Sequence, residues 1–190
     1  GLDLRNILVV GSINMDVVLG VPHIPAVGET VLARGQRLVG GGKGANQAVA
    51  AARLGANVAM IGRVGDDSYG TSLKEGLAAS GVNVQGVEVD GEVPTGVAYV
   101  YVSDLGDNNI VVNAGANSRL DKAQIDRHLP LFTDVDYCLL QLEVPLETVE
   151  YVIRICREKG IKVILNPAPA QPLDAELLDG LYMLMRSEEH

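Results

Sequence analysis

Apolar and polar positions alternate along this chain in two rhythms. Residues 6–11 (Asn-Ile-Leu-Val-Val-Gly) form a short β-branched run closed by glycine, the pattern of a strand buried on both faces. From 43 to 54 the period changes. Ala45, Ala48, Val49 and Ala52 recur at i, i+3, i+4 and i+7, which predicts a helix with a small-residue face, stopped by Gly55. Residues 57–61 read as a strand, and 67–80 as a helix with Tyr69, Leu73 and Leu77 on one stripe. Further on, 137–142 reads as a buried strand, and Val149, Val152, Ile153 and Cys156 mark a helix ended by Gly160. Residues 161–165 form the next strand. Strands alternating with helices predict right-handed βαβ units, an α/β fold with a mostly parallel sheet.

Two segments break the rhythm. Residues 95–102 and 109–113 are strand-like and joined by Asp104-Leu-Gly-Asp-Asn, a hairpin signature. Residues 17–21 and 29–39 also look extended, so a small separate sheet is expected. Val97, Tyr99 and Tyr101 point one way, and Ala98, Val100 and Val102 the other. Both faces are apolar and need cover. Either a ligand lies beneath and a second subunit above, or the parent domain buries one face.

Composition narrows the function classes. Against 15 Lys plus Arg stand 24 Asp plus Glu, a net charge of −9, so no basic surface suits nucleic acid or an anionic membrane. No apolar run approaches the roughly 20 residues that span a bilayer, and the first residues lack a signal-peptide pattern. Cys138 and Cys156, both in apolar segments, fit buried thiols in a reducing compartment, so a cytoplasmic protein is expected. No Cys/His set has zinc spacing, no metal ligand is assigned, and His23 and His128 sit in turn-like polar surroundings without a catalytic role.

The candidate chemistry gathers at strand ends. Gly40-Gly-Gly-Lys-Gly-Ala-Asn-Gln-Ala stands at a helix mouth, where backbone N–H groups are expected to be free and the dipole positive. It is not a Walker loop, because Gly44 follows Lys43 in place of Ser or Thr. A tight strand-to-helix turn is the plain alternative, but such a turn needs neither Lys43 nor Asn46. Asn14 and Asp16 lie just past the first strand, at the edge where open α/β sheets bind ligands. Their i, i+2 spacing puts both on one face, and an amide beside a carboxylate can hold neighbouring hydroxyls; an Asx-type turn is the alternative. Glu143 ends another strand-like run, and Asn166-Pro-Ala-Pro-Ala a further one.

These residues resemble a known family. Gly41-Gly-Lys-Gly-Ala-Asn46-Gln-Ala48, followed by Gly55 and Gly65, is similar to the N-terminal signature of the ribokinase (PfkB-type) carbohydrate kinases. Gly11-Ser-Ile-Asn-Met-Asp, Pro25-Ala-Val-Gly-Glu-Thr, Asn113-Ala-Gly-Ala-Asn, Gln141-Leu-Glu and Asn166-Pro-Ala-Pro-Ala resemble the ribose-using branch more than its fructose- or adenosine-using relatives. The similarity runs from about residue 6 to 178.

The resemblance implies a doubly wound α/β domain with helices on both faces. A β-sheet lid, here about 14–40 and 94–114, closes over the sugar and pairs two subunits into a homodimer. The implied reaction moves the γ-phosphoryl group of ATP to the 5-hydroxyl of D-ribose, with Mg²⁺ and activation by K⁺. By motif, Asn14 and Asp16 bind ribose hydroxyls, and Gly42, Lys43, Gly44, Ala45 and Asn46 hold the sugar. Lys43 stands near the acceptor oxygen and phosphate, Glu143 closes the site and Ile110 covers the ring.

The family's general base sits in a later Gly-Ala-Gly-Asp motif that this sequence does not contain. Its Asn-x-x-Glu motif is expected soon after Leu178, where Ser187 and His190 stand instead. The expectation is an N-terminal portion over 1–190 that holds the sugar but lacks the nucleotide-binding part and is inactive alone. A kinase for another small sugar or nucleoside, and a non-catalytic sugar-binding or dimerisation module, are the alternatives.

Overall fold

The computed structural model describes residues 5–173 and 175–185; Ser187 and His190 lie outside the described residues. Among the described residues, ten strands and five α-helices follow one another. They are β1 (Asn6–Val10), β2 (Asn14–Val21), β3 (Gly35–Gly41), α1 (Lys43–Arg53), β4 (Asn57–Gly65), α2 (Ser68–Ala79) and β5 (Asn83–Asp90). Next come β6 (Gly96–Ser103), β7 (Asn108–Asn113), α3 (Lys122–Arg127), β8 (Tyr137–Leu140), α4 (Leu146–Lys159), β9 (Lys162–Leu165), α5 (Ala175–Asp179) and β10 (Met183–Leu184). Short 3₁₀ turns cover Gly115–Arg119 and Leu129–Phe132.

The main sheet has the order β10-β9-β8-β1-β4-β5, with every pair parallel. Alternation within β1 explains its central place. Leu8 and Val10 join a core with Val149, Val152 and Ile153 of α4, Ile125 of α3 and Leu177 of α5. Val9 joins the opposite core with Ala45, Ala48 and Ala51 of α1 and Leu73 and Leu77 of α2. Helices therefore cover both faces, as expected. The alanine face lets α1 lie close to β1 and β4.

A second sheet, β3-β2-β6-β7, stands apart from the first. β2 pairs antiparallel with β3 and parallel with β6, and β6 pairs antiparallel with β7. The hairpin at 104–107 is present, with Gly106 in the left-handed region at φ 86°. The extended stretch expected over 29–39 is a strand only from Gly35. β5 and α3 lie outside the elements that the sequence pattern predicts.

Strand register separates the two faces of this second sheet. Asp16 faces Val39 and Ala98, and Ala98 faces Val112; farther out, Val18 faces Val100, which faces Ile110. These residues share the face of Asn14 and Asp16. On the other face lie Met15, Val17, Leu38, Val97, Tyr99 and Val111. The root of that face is covered, for Met15 packs into the α1–α2 core and Val17 is buried. Leu38, Tyr99 and Val111 are exposed, so the parent domain does not bury a whole face.

Candidate functional site

The order of the main sheet decides where polar groups meet. Leaving β1, the chain goes first to β4 and β5 on one side and later to β8, β9 and β10 on the other. Where the direction reverses, loops beyond the carboxyl ends of neighbouring strands diverge and leave a crevice. The loop after β1 carries Ser12 and leads to Asn14, the first residue of β2, and the loop after β8 carries Glu143.

Three segments are tied together there. One oxygen of Glu143, Oε1, accepts from Ser12 Oγ at 2.6 Å and from the backbone N–H of Lys43 at 2.8 Å. Ser12 Oγ accepts from Gly44 N at 3.3 Å, and Ser12 O from Ala45 N at 2.9 Å. The first three N–H groups of α1 are thus satisfied by the protein itself. This corrects the expectation of a helix mouth with free donors: a carboxylate and a serine already occupy it. Glu143 is a helix cap, but of α1 rather than of the helix that follows it, whose N-cap position is Pro145.

Glycine is needed where these segments cross. Gly42 has φ 91°, and a Cβ on Gly44 would stand 2.6 Å from Ser12 N and 2.7 Å from Gly11 C. A Cβ on Gly41 would stand 2.4 Å from Asp16 Oδ1, so the Asp16 carboxylate lies flat against that glycine. Burial pushes the Asp16 carboxyl above its usual range, and the nearby charge of Glu143 adds to the rise.

Asn14 and Asp16 do share a face, at the start of β2. Neither makes the Asx turn left open as an alternative: Asn14 Oδ1 accepts from Asn117 Nδ2 at 2.7 Å. Asn46 begins the helical ladder, its N–H donating to Gly42 O at 2.9 Å, and its side chain is exposed. Ile110 lies on the Asp16 face but farther out and is exposed; Ala98 and Val112 stand nearer. Asn166 Oδ1 accepts from Ala168 N at 3.3 Å, a local contact within its own loop.

A cavity of about 820 Å³ opens beside this cluster, between β3, α1 and α2. Gly41, Ala45 and Asn46 line it, but Asn14, Asp16 and Glu143 do not, and Ile13, Met15, Val49, Leu73 and Leu77 make its floor apolar. The polar groups suited to a hydroxylated ligand converge at the strand ends, and the candidate site is placed there. Sequence reasoning quoted Ser12 and Asn117 only within motifs and gave them no role. Their contacts join residues more than 100 positions apart, which local pattern does not reveal.

Residues 4–189 match the profile of the family described as pfkB family carbohydrate kinase. The chain belongs to this family. Ribokinase from Bacillus subtilis is 46% identical over 185 residues, covering 97% of this chain and 63% of the relative. A deoxyribokinase from Salmonella typhimurium is 40% identical over 165 residues, covering 87% of this chain and 54% of the relative. The solved Arabidopsis thaliana ribokinase complexed with ribose and ATP superposes with a TM-score of 0.87 at 32% identity, covering 95% of this chain and 59% of that one. The chain thus spans less than two thirds of the length of these relatives.

As a member of the pfkB family, the chain has the expected α/β sheet with its helices. Among the described residues no helix is long and apolar enough to cross a membrane. None of their His, Cys, Asp and Glu side chains form a group of three that could hold a metal ion. None of the described residues is assigned to the Mg²⁺ and K⁺ that the resemblance implies, and no step is routed through them.

Proposed function

We propose that this chain is the sugar-binding portion of a ribokinase, which transfers the γ-phosphoryl group of ATP to the 5-hydroxyl of D-ribose. The observation that carries the reading is the pairing of Asn14 and Asp16 on one strand face beside the Glu143-capped start of α1. A carboxylate accepts from one hydroxyl and an amide donates to its neighbour, which suits a vicinal diol. The Gly42–Asn46 segment bounds the sugar, with Lys43 near the acceptor oxygen. Glu143 has one oxygen committed to Ser12 and Lys43, and its other oxygen faces the sugar.

The second sheet acts as a lid. Ala98, Val100, Ile110 and Val112 share the Asp16 face, and closure brings them over the sugar ring and excludes water. The exposed Leu38, Tyr99 and Val111 on the outer face suit a second copy of the chain, giving a homodimer through the lid. The protein works in the cytoplasm.

Phosphoryl transfer also needs a base for the hydroxyl proton and donors around the transferring group. The Gly-Ala-Gly-Asp motif that supplies them in the family is not among these 190 residues. The reading therefore assigns sugar binding, not turnover, to this chain. The similarity to a deoxyribokinase favours 2-deoxyribose as the second substrate reading.

Calorimetric titration of the chain with D-ribose, 2-deoxyribose, fructose and a nucleoside tests the assignment. Saturable binding of ribose ahead of the others, lost in Asp16→Ala, supports it. Preference for 2-deoxyribose moves the assignment to the second reading, and no binding of any of them overturns both.

A further inference from the structure

The side chain of Asn117 is fully engaged, and one of its partners is Asn14 of the proposed sugar site. It is 2% exposed and follows β7 in the 3₁₀ turn. Its Oδ1 accepts from the backbone N–H of Ile13 at 2.9 Å. Its Nδ2 faces Asn14 Oδ1 at 2.7 Å, Ala114 O at 2.9 Å and Ile13 O at 3.2 Å.

Those partners fix the orientation of both amides by chemistry alone. An N–H of the backbone can only donate, so the Asn117 atom facing Ile13 N is oxygen. Backbone carbonyls can only accept, so the other terminal atom of Asn117 is nitrogen. The Asn14 atom that meets this nitrogen must then be its oxygen. Asn14 is left with its Nδ2 turned the other way, and among the described residues no acceptor meets that nitrogen.

The same point is where the roots of the lid come together. Ile13 leads into β2 and Asn14 opens it, Ala114 follows β7, and Gly96 opens β6 opposite Asn14. A Cβ on Gly96 would stand 2.3 Å from both Asn117 Nδ2 and Asn14 Oδ1, so the junction is closed against anything larger than glycine.

We propose that Asn117 is a positioning residue for sugar recognition: it holds the Asn14 amide with its N–H₂ toward the ligand, and ties that setting to three roots of the lid. Asn14 then offers only a donor, and the hydroxyl it meets acts as acceptor while its neighbour donates to Asp16. This rests on reading Asn14 and Asp16 as sugar contacts. The readouts below separate a failure of that reading from a failure of the positioning role.

The test is a double-mutant cycle on the 190-residue chain, using Asn14→Ala, Asn117→Ala and both together, with D-ribose affinity measured by calorimetry. Loss of one hydrogen bond that orients a ligand contact predicts weakening by about fivefold in Asn117→Ala. In the Asn14→Ala background the same change adds less than about twofold, because its target is gone. An equal effect in both backgrounds, or none in either, overturns the proposal.

A second readout needs no sugar. The side-chain N–H₂ resonances of Asn14, followed by ¹⁵N NMR, move in Asn117→Ala toward those of a free amide. Unmoved Asn14 resonances overturn the proposal even if ribose fails to bind. Should Asn117→Ala not fold, Asn117→Asp serves for both measurements. It keeps the shape but removes the donor, so the Asn14 amide reverses and its resonances shift; an unchanged amide with unchanged affinity again counts against the proposal.

Discussion

Replacing Gly44 by alanine tests whether the start of α1 is held by contact with the turn after β1. Its Cβ would stand 2.6 Å from Ser12 N, 2.7 Å from Gly11 C and 2.8 Å from Ser12 O, whereas ordinary contact begins at 3.4 Å. All three neighbours are backbone, so no side chain can swing aside, and α1 or the turn must retreat by about 0.8 Å. That movement also stretches the 2.8 Å bond from Lys43 N to Glu143 and the 3.3 Å bond from Gly44 N to Ser12.

Overpacking of this kind costs about 1–3 kcal/mol. Alanine recovers up to ~1 kcal/mol in helix propensity, less in a first turn. Sterics win, and Gly44→Ala is expected to lower stability by about 1–2 kcal/mol. With a urea slope of about 2 kcal/mol/M, the unfolding midpoint falls by roughly 0.5–1 M.

Gly76→Ala is the internal control. Gly76 lies within α2, and a Cβ there meets nothing within 4 Å, so only propensity acts and stability rises by ~1 kcal/mol. Urea unfolding followed by circular dichroism reads both variants. Opposite signs support the contact argument. A Gly44→Ala midpoint equal to or above the unchanged chain refutes it.

Three further predictions follow from charge and exposure. Asp16 is held above the ordinary carboxyl range, so between its usual 3.8 and that raised value the folded state binds more protons, and stability falls as pH rises through the window. Asp16→Asn therefore raises the melting temperature at neutral pH while weakening ribose binding, and it removes the loss of affinity that the unchanged chain shows as falling pH protonates Asp16; calorimetry and thermal unfolding across pH 4–7 check both signs. Glu88 is held down to about 2 by its hydrogen bonds to Arg127 and His128, despite partial burial, with Arg63 also facing it. Its contribution is complete above its usual 4.5 and is lost as pH falls toward 2, so Glu88→Gln flattens stability across that acid window, which urea midpoints at pH 5 and pH 3 measure. On the outer lid face, Tyr99→Asp together with Leu38→Asp converts a dimer to a monomer in sedimentation, with the melting temperature of the main domain little changed; monomeric unchanged chain contradicts the lid-dimer assignment.

Much of the framework was legible because it is local. Ala45, Ala48 and Ala52 fix a helix by spacing alone, and the β-branched run of β1 announces a central strand. β3 was read too long, since nearly all its residues are exposed and carry no alternation to mark where pairing begins. β5 was missed because Gln85 and Gly86 interrupt its apolar pattern, at the place where its register with β4 shifts. The site divides in the same way. Asn14, Asp16, Lys43 and Glu143 could be named from strand ends and motif. What Glu143 does could not, because its partner Lys43 N lies 100 residues earlier. The same holds for Asn117, whose meaning depends on three chain segments meeting at one carboxamide.

The most direct test of the account is a ¹⁵N NMR titration of the chain with D-ribose. The account predicts saturable shifts clustered on Asn14, Asp16, Gly42, Lys43, Gly44 and Glu143, spreading to Gly96 and Asn117 through the lid roots. Shifts confined to the cavity lined by Val49, Leu73 and Leu77, or no saturable shifts at all, would contradict it.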